Sequence, residues 1–337
     1  MRVFELRDGF GLDRLRRVER PEPTPGPGQA LVRVHACSLN YRDQMVVRGE
    51  YNPRQPLPLV PLSDGVGKVV ELGAGVDRVQ VGDRVAGIFA QRWLGGSLDA
   101  IGRASTLGSP LDGMLTEYAA LGAEGLVRIP EYLTDEQAAC LPCAAVTAWN
   151  ALMEGGARTG ETILVQGTGG VSIFALQLAV CAGCRVIITS SSDSKLQRAL
   201  DLGAAEGIHY RDTPRWDKRV LELTAGRGAD HVVEVGGAKT ITQSLAAVRI
   251  GGAVHVIGVL SGAAAELPLT SILMKGLRLR GIFVGSREMF ESLLRSLDVH
   301  RLQPVVDRVF DFEDTPAAFE YLQAGGHFGK IAIRIAS

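Results

Sequence analysis

Glu161-Thr-Ile-Leu-Val-Gln-Gly-Thr-Gly-Gly-Val-Ser-Ile-Phe-Ala-Leu-Gln-Leu-Ala-Val-Cys181 decides how the rest of the chain is read. Thr162 to Val165 is a short apolar, β-branched run, the pattern of a buried strand. Gly167, Gly169 and Gly170 follow as a tight turn. From Ile173 to Val180 only Gln177 is polar, which opens a buried helix. Strand, glycine turn and helix in that order form the first half of a dinucleotide-binding βαβ unit. Gly167 permits the turn, and Gly169 lets the backbone approach a pyrophosphate. The helix N-terminus supplies free N–H groups and a partial positive charge for that anion. Ser172 stands where a third glycine is usual, a position for close helix–strand packing that a small side chain can fill.

Outward from this stretch the alternation continues. Arg185-Val-Ile-Ile-Thr189, Asp230-His-Val-Val-Glu-Val235 and Ala253-Val-His-Val-Ile-Gly-Val259 read as further buried strands. Helical segments over 193–202, 217–224 and 240–248 separate them. Such alternation predicts a parallel, doubly wound α/β sheet. Residues 1–144 have another texture. Ala30-Leu-Val-Arg-Val-His-Ala36, Gly67–Leu72, Arg84–Phe89 and Gly113–Ala119 are short alternating runs punctuated by glycine and proline, as in a small β-barrel or sandwich. The expected division is 1–144, then 145–284 for the nucleotide domain, then 285–337 returning to the first domain through a helix (287–298) and the strand Lys330–Ile335.

Composition excludes several classes. The chain of 337 residues is 46% hydrophobic and 22% charged, enough for two packed cores. Its net charge of −1 and the absence of a Lys/Arg block argue against nucleic-acid or membrane-surface partners. No apolar run reaches the ~18 residues of a membrane span, and residues 1–7 lack a signal-peptide core; a cytoplasmic protein is expected. Cys140/Cys143 and Cys181/Cys184 have the spacing of zinc half-sites. The gap between the pairs far exceeds the ~15–20 residues of familiar four-cysteine sites. Reduced cysteines are the simpler expectation.

Val81-Gly-Asp-Arg-Val85, Gly113-x-x-x-Glu-Tyr118, Leu141-Pro-Cys-Ala-Ala-Val-Thr-Ala-Trp149 and Gln166-Gly-Thr-Gly-Gly-Val171 together resemble the medium-chain dehydrogenase/reductase superfamily, over essentially the whole chain. The resemblance implies a GroES-like β-barrel domain and a Rossmann doubly wound parallel sheet. Zinc-dependent alcohol dehydrogenases of that superfamily hold a catalytic metal with Cys, His and Cys or an acid. Here Asn40 takes the first cysteine's place, and Leu62-Ser63-Asp64 stands where Gly-His-Glu is usual; only Cys143 matches a ligand position well. One thiolate and one carboxylate with an amide and a hydroxyl make a poor zinc site. The stretch 87–111, where the family's structural zinc lobe falls, contains no cysteine. The expectation is therefore no metal, as in the zinc-independent branch of quinone oxidoreductases, zeta-crystallin among them, and enoyl reductases.

An acid that binds the ribose 2′-OH of NAD should end the second strand, ~20 residues past the glycines. Thr189-Ser190-Ser191-Ser192 stands there, and hydroxyls can donate to a 2′-phosphate. Ser190, Ser191, Lys195 and Tyr210 are therefore expected around that phosphate, and NADP(H) is the expected cofactor. Gly167, Thr168, Gly169, Gly170 and Val171 would cradle the pyrophosphate. By resemblance Thr147 lies near the nicotinamide, Lys330 near the pyrophosphate, and the Val284 backbone near the carboxamide. Without a metal, charge developing on the acceptor oxygen needs a hydrogen-bond donor or a proton. Asn40, like the Asn of quinone reductases, and Tyr51, near the tyrosine of enoyl-thioester reductases, are the candidates. The expected activity is NADPH-dependent hydride transfer to a quinone, activated alkene or carbonyl small molecule. An alcohol dehydrogenase with a residual metal site at Cys143, and a non-catalytic NADPH-binding protein, are the alternatives. Family resemblance and the run Leu277–Val284, able to extend a sheet across a dyad, also imply a homodimer.

Overall fold

A computed structural model describes residues 1–335. The chain divides into two compact units, 1–146 together with the segment from Gly285 onward, and Thr147–Val284.

In the second unit, six strands pair in parallel. Their spatial order is Glu206–His209, Arg185–Ser190, Thr162–Gln166, Ala229–Glu234, Val248–Val256, Arg278–Gly281. This is the 3-2-1-4-5-6 order of a Rossmann sheet. Strand residues such as Ile163, Leu164, Val165, Ile187, Val232 and Val254 are fully buried, which explains their continuous rather than alternating apolar pattern. The strand order reverses between Thr162–Gln166 and Ala229–Glu234, which lie parallel, so the crevice at their carboxyl ends is the topological switch point. Helices Gly170–Cys181, Asp193–Asp201, Trp216–Leu223 and Ile241–Ala247 fill the crossovers, within a residue or two of their predicted bounds. Of the run Leu277–Val284, only Arg278–Gly281 is strand.

The first unit holds a mostly antiparallel sheet. Among the described residues its order is Val306–Asp311, Lys330–Arg334, Gln29–Leu39, Asp64–Leu72, Arg84–Gly87, Leu126–Arg128, and Tyr118–Gly122 also pairs with Gln29–Leu39. Lys330–Arg334 runs parallel to Val306–Asp311 and antiparallel to Gln29–Leu39. The strand predicted over 113–119 is displaced to Tyr118–Gly122. The reason is a close backbone approach, because a Cβ on Gly113 would lie 2.1 Å from the Leu62 carbonyl oxygen. The stretch before Tyr118 bonds irregularly to Val60, Pro61 and Leu62 instead of joining the sheet. The predicted helix from Arg287 extends to His300.

Candidate functional site

Three chain segments bring a polar cluster together inside the first unit. Gln29–Leu39 pairs on one side with Lys330–Arg334, where Ile331 faces Leu39, and on the other with Asp64–Leu72, where Ser38 faces Asp64. Register alone therefore places Lys330, Asn40 and Asp64 at one end of three adjacent strands. Asn40 then caps the helix Tyr41–Val47, its backbone N–H donating to the Asp43 carboxylate at 2.8 Å.

The Lys330 side chain is 2% exposed. Its ammonium donates to the Leu39 carbonyl at 2.7 Å and to Asn40 Oδ1 at 2.6 Å, and Asp64 Oδ2 lies 3.6 Å away. Asp64, fully buried, accepts from Ser63 Oγ at 2.8 Å, from Ser38 Oγ at 3.3 Å and from the Cys143 backbone N–H at 3.3 Å. Among the described residues, Asn40 Nδ2 and Asp43 Oδ1 are buried beside this network without a hydrogen-bond partner. Burial, reinforced by Asp64, pushes the Asp43 carboxyl up to about 6, with Arg42, Lys330 and the Asn40 N–H pulling only part of the way back. Loss of water around its sulfur and the nearby Asp64 carboxylate push the Cys143 thiol far above its ordinary range. Burial likewise takes Cys140 to about 12. Cys143 lies in a π-type turn, Leu141–Ala145, with Pro142 in its first positions; such turns often accompany functional positions.

Tyr51 is 37% exposed. The Arg42 guanidinium lies 4.8 Å from its ring centroid and 4.7 Å from that of Phe89, and donates to the Leu107 and Ser109 carbonyls. Arg42 thus fixes the ring by cation–π contact. His35 pairs with Asp135 at 2.9 Å, a satisfied half-buried histidine.

In the second unit, Gly167 adopts φ 69°, a left-handed conformation that glycine enters without strain. A Cβ on Gly167 or Gly169 would meet nothing within 4 Å, so open space lies over the turn where a pyrophosphate would approach. Gly169 caps the helix Gly170–Cys181. Ser172 donates its hydroxyl to the Gln166 carbonyl at 2.7 Å; the residue in the third-glycine place ties helix to strand. Thr168 and Thr147 are buried, and Val171 is partly exposed. At the second strand's end Ser190 is buried, with its carbonyl accepting from the Tyr210 N–H at 3.0 Å. Ser191 and Lys195 are half-buried, and Tyr210 is 40% exposed. Ser192 Oγ caps the helix Asp193–Asp201. Val284 has φ 46°, rare for a β-branched residue, and its carbonyl accepts from Asn150 Nδ2 at 2.8 Å.

Sequence reasoning missed Glu234. Fully buried at the switch point, it accepts from Gln166 Nε2, Ser244 Oγ, Thr240 Oγ1 and the N–H groups of Gly236 and Gly237. An acid closing the apolar strand Ala229–Glu234 ahead of Gly236-Gly237 was the signal. Lys330 was noticed, but its engagement with Asn40 was not.

The sequence matches the pattern of an alcohol dehydrogenase GroES-like domain over residues 26–131 and that of a zinc-binding dehydrogenase over 170–298. A zinc-type alcohol dehydrogenase-like protein of Schizosaccharomyces pombe is 42% identical over 333 residues, 96% of each chain. The quinone oxidoreductase-like protein 2 of Rattus norvegicus is 28% identical, covering 94% of this chain and 88% of its own. A solved NAD-dependent alcohol dehydrogenase superposes with a TM-score of 0.91 at 33% identity, over the whole of both chains. The chain belongs to the medium-chain dehydrogenase/reductase superfamily and is an NAD(P)-dependent oxidoreductase.

Proposed function

We propose that the chain is a zinc-independent, NADPH-dependent reductase of quinones, activated alkenes or carbonyl compounds. The observation that carries this reading is the lysine ammonium inside the cluster where zinc-dependent relatives hold their metal. The residues there do not suit a zinc ion. Asp64 already accepts three hydrogen bonds, the Cys143 thiol resists deprotonation, and Lys330 would face a divalent cation at short range.

A nucleotide fits the second unit better. Open space above Gly167 and Gly169, and the helix N-terminus at Gly170, suit a pyrophosphate, with Thr168 and Val171 completing the turn. Ser190, Ser191, Lys195 and Tyr210, with no acid ending the strand, favour a 2′-phosphate. Thr147 and the backbone of Val284 are proposed to lie toward the nicotinamide. The bound cofactor supplies the hydride. Asn40 hydrogen-bonds the acceptor oxygen as it gains negative charge, and the exposed Tyr51 ring, held by Arg42, orients the acceptor at the rim. Solvent supplies the proton.

A homodimer is proposed through the edge strand Arg278–Gly281. Just before it, the helix Leu269–Lys275 buries none of its residues and leaves Leu269, Leu273 and Met274 at least 72% exposed. Among the described residues no helix is long and apolar enough to cross a membrane. The five cysteines form no disulfide, which accords with a cytoplasmic setting.

Calorimetric titration of metal-analysed protein with NADPH and NADH tests the reading. NADPH at least tenfold tighter, no stoichiometric zinc, and turnover with a quinone or enone panel would support it. NADH preference with one zinc per chain would establish an alcohol dehydrogenase instead. NADPH binding without turnover on any acceptor would make it a binding protein.

A further inference from the structure

We infer that Lys330 is a positioning residue that fixes the Asn40 amide as an oxyanion donor, and that it stands in the metal's electrostatic role without touching the substrate. The inference rests on the reading of Asn40 given above and deepens it.

An ammonium has three donors and no acceptor, so the Asn40 atom 2.6 Å from Lys330 Nζ must be the carbonyl oxygen. That contact settles the orientation of the amide, which would otherwise be ambiguous. The consequence falls on the other end of the side chain. Asn40 Nδ2 is buried and meets no acceptor among the described residues. A buried amide N–H left unmade costs about 1–3 kcal/mol, and native proteins rarely keep one without a use. Lys330 is itself held by the Leu39 carbonyl at 2.7 Å and balanced by Asp64 at 3.6 Å. The amide therefore cannot turn over without placing its NH2 against the ammonium.

The ligand such a donor takes is an oxygen with free lone pairs. In the proposed reaction it is the carbonyl oxygen of a quinone, an enone or a thioester. When hydride adds to a carbonyl carbon, the C=O π pair moves onto that oxygen; when it adds to the β-carbon of an enone, the C=C pair forms the new enolate double bond and the C=O π pair moves onto the oxygen as an oxyanion. The Asn40 N–H meets the oxyanion, and the Lys330 charge on Oδ1 polarises the amide toward it. Neither residue gives up a proton; water protonates the product. On this inference Lys330 acts inside the first unit, through Leu39, Asn40 and Asp64, rather than as the pyrophosphate contact expected by resemblance.

The test uses Lys330→Met, Asn40→Ala and the double variant. NADPH affinity is read by calorimetry, and kcat and KM with an enone. Each single change should lower kcat roughly 100-fold, the order found when one oxyanion donor is lost. The double variant should be no worse than Asn40→Ala, and NADPH Kd should stay within about twofold. Multiplying losses, or a tenfold weaker NADPH Kd at unchanged kcat, would overturn the inference. A second readout does not depend on turnover. The Asn40 side-chain amide protons, followed by NMR in 15N-Asn protein, should exchange slowly in the wild type and rapidly in Lys330→Met. Equal protection in both would refute the positioning role, whatever substrate the enzyme takes. Should Lys330→Met fail to fold because Asp64 is left buried beside no cation, Lys330→Met/Asp64→Asn removes both charges and serves for the same measurements.

Discussion

Two buried carboxylates, one in each unit, are treated in opposite ways. Glu234 receives five donors and closes its network. Asp43 receives one backbone N–H, keeps Oδ1 without a hydrogen bond among the described residues and 3.8 Å from the Arg42 guanidinium, and is pushed up to about 6. A fully satisfied buried carboxylate fixes a shape, here the turn after Ala229–Glu234 at the switch point. A cluster with unspent atoms keeps hydrogen-bonding capacity for something that arrives later. Around Glu234 the second unit thus leaves the carboxylate fully hydrogen-bonded, whereas the Asn40 end of the first unit keeps a buried N–H without an acceptor among the described residues.

The largest effect that would break this contrast lies at Glu234. Glu234→Ala removes the acceptor shared by Gln166, Ser244, Thr240 and two backbone N–H groups, leaving Ser244 Oγ and the Gly237 N–H without their acceptor and the others with only their secondary contacts. We expect a loss of about 3–5 kcal/mol, read by chemical denaturation; a loss below 1 kcal/mol would mean the network contributes little. Next comes the open turn. Gly169→Ala should lower the melting temperature only slightly, since a Cβ there meets nothing within 4 Å, yet weaken NADPH binding by at least tenfold in calorimetry.

A third prediction sets the two units against each other in pH. Burial, then repulsion from His231, Arg280 and Arg278, holds His255 down at about 3. Its folded pKa is depressed, so its contribution is present above its unfolded value near 6.5 and is lost as pH falls toward 3. Asp43 is raised, so its contribution is present below about 4 and is lost as pH rises through 6. Each term changes stability by at most about 1.4 kcal/mol per pH unit, with opposite sign. Between pH 4 and 6 they oppose. Asp43→Asn should flatten the fall of protection in the first unit, and His255→Leu the rise in the second, both followed by hydrogen-exchange mass spectrometry. Unchanged slopes in both variants would show that neither group titrates in this window. The smallest effect belongs to Tyr51→Phe. Because Arg42 holds the ring rather than the hydroxyl, kcat/KM should fall only about two- to fivefold, whereas Asn40→Ala falls far more.

Much of the second unit was legible in the sequence, because a parallel sheet writes itself as apolar runs separated by helices, and Gly167 and Gly169 mark its nucleotide turn. The first unit was harder. Gly113–Glu117 alternates like a strand, yet the backbone N–H groups of Gly113–Leu115 are bound to Val60–Leu62. At the candidate site Asn40 could be singled out by the residue it replaces. Lys330 could not be assigned its partners, because a lysine heading an apolar strand looks the same whether it meets solvent, a phosphate or a buried amide. Ser172 shows the same limit: its small size was readable, its bond to the Gln166 carbonyl was not.

The bond between Lys330 and Asn40 joins positions 290 residues apart, and that separation imposes an order on biosynthesis. Thr147–Val284 emerges from the ribosome as one uninterrupted stretch and has all its own strands before Lys330 is translated. The first unit begins earlier and finishes later: the Ala36–Leu39 end of Gln29–Leu39 must wait, its edge beyond Tyr118–Gly122 unpaired and Asp64 without its cation, until the strand Lys330–Arg334 has been made. The nucleotide unit is the first that can mature on the growing chain, and the oxyanion donor is among the last features to form.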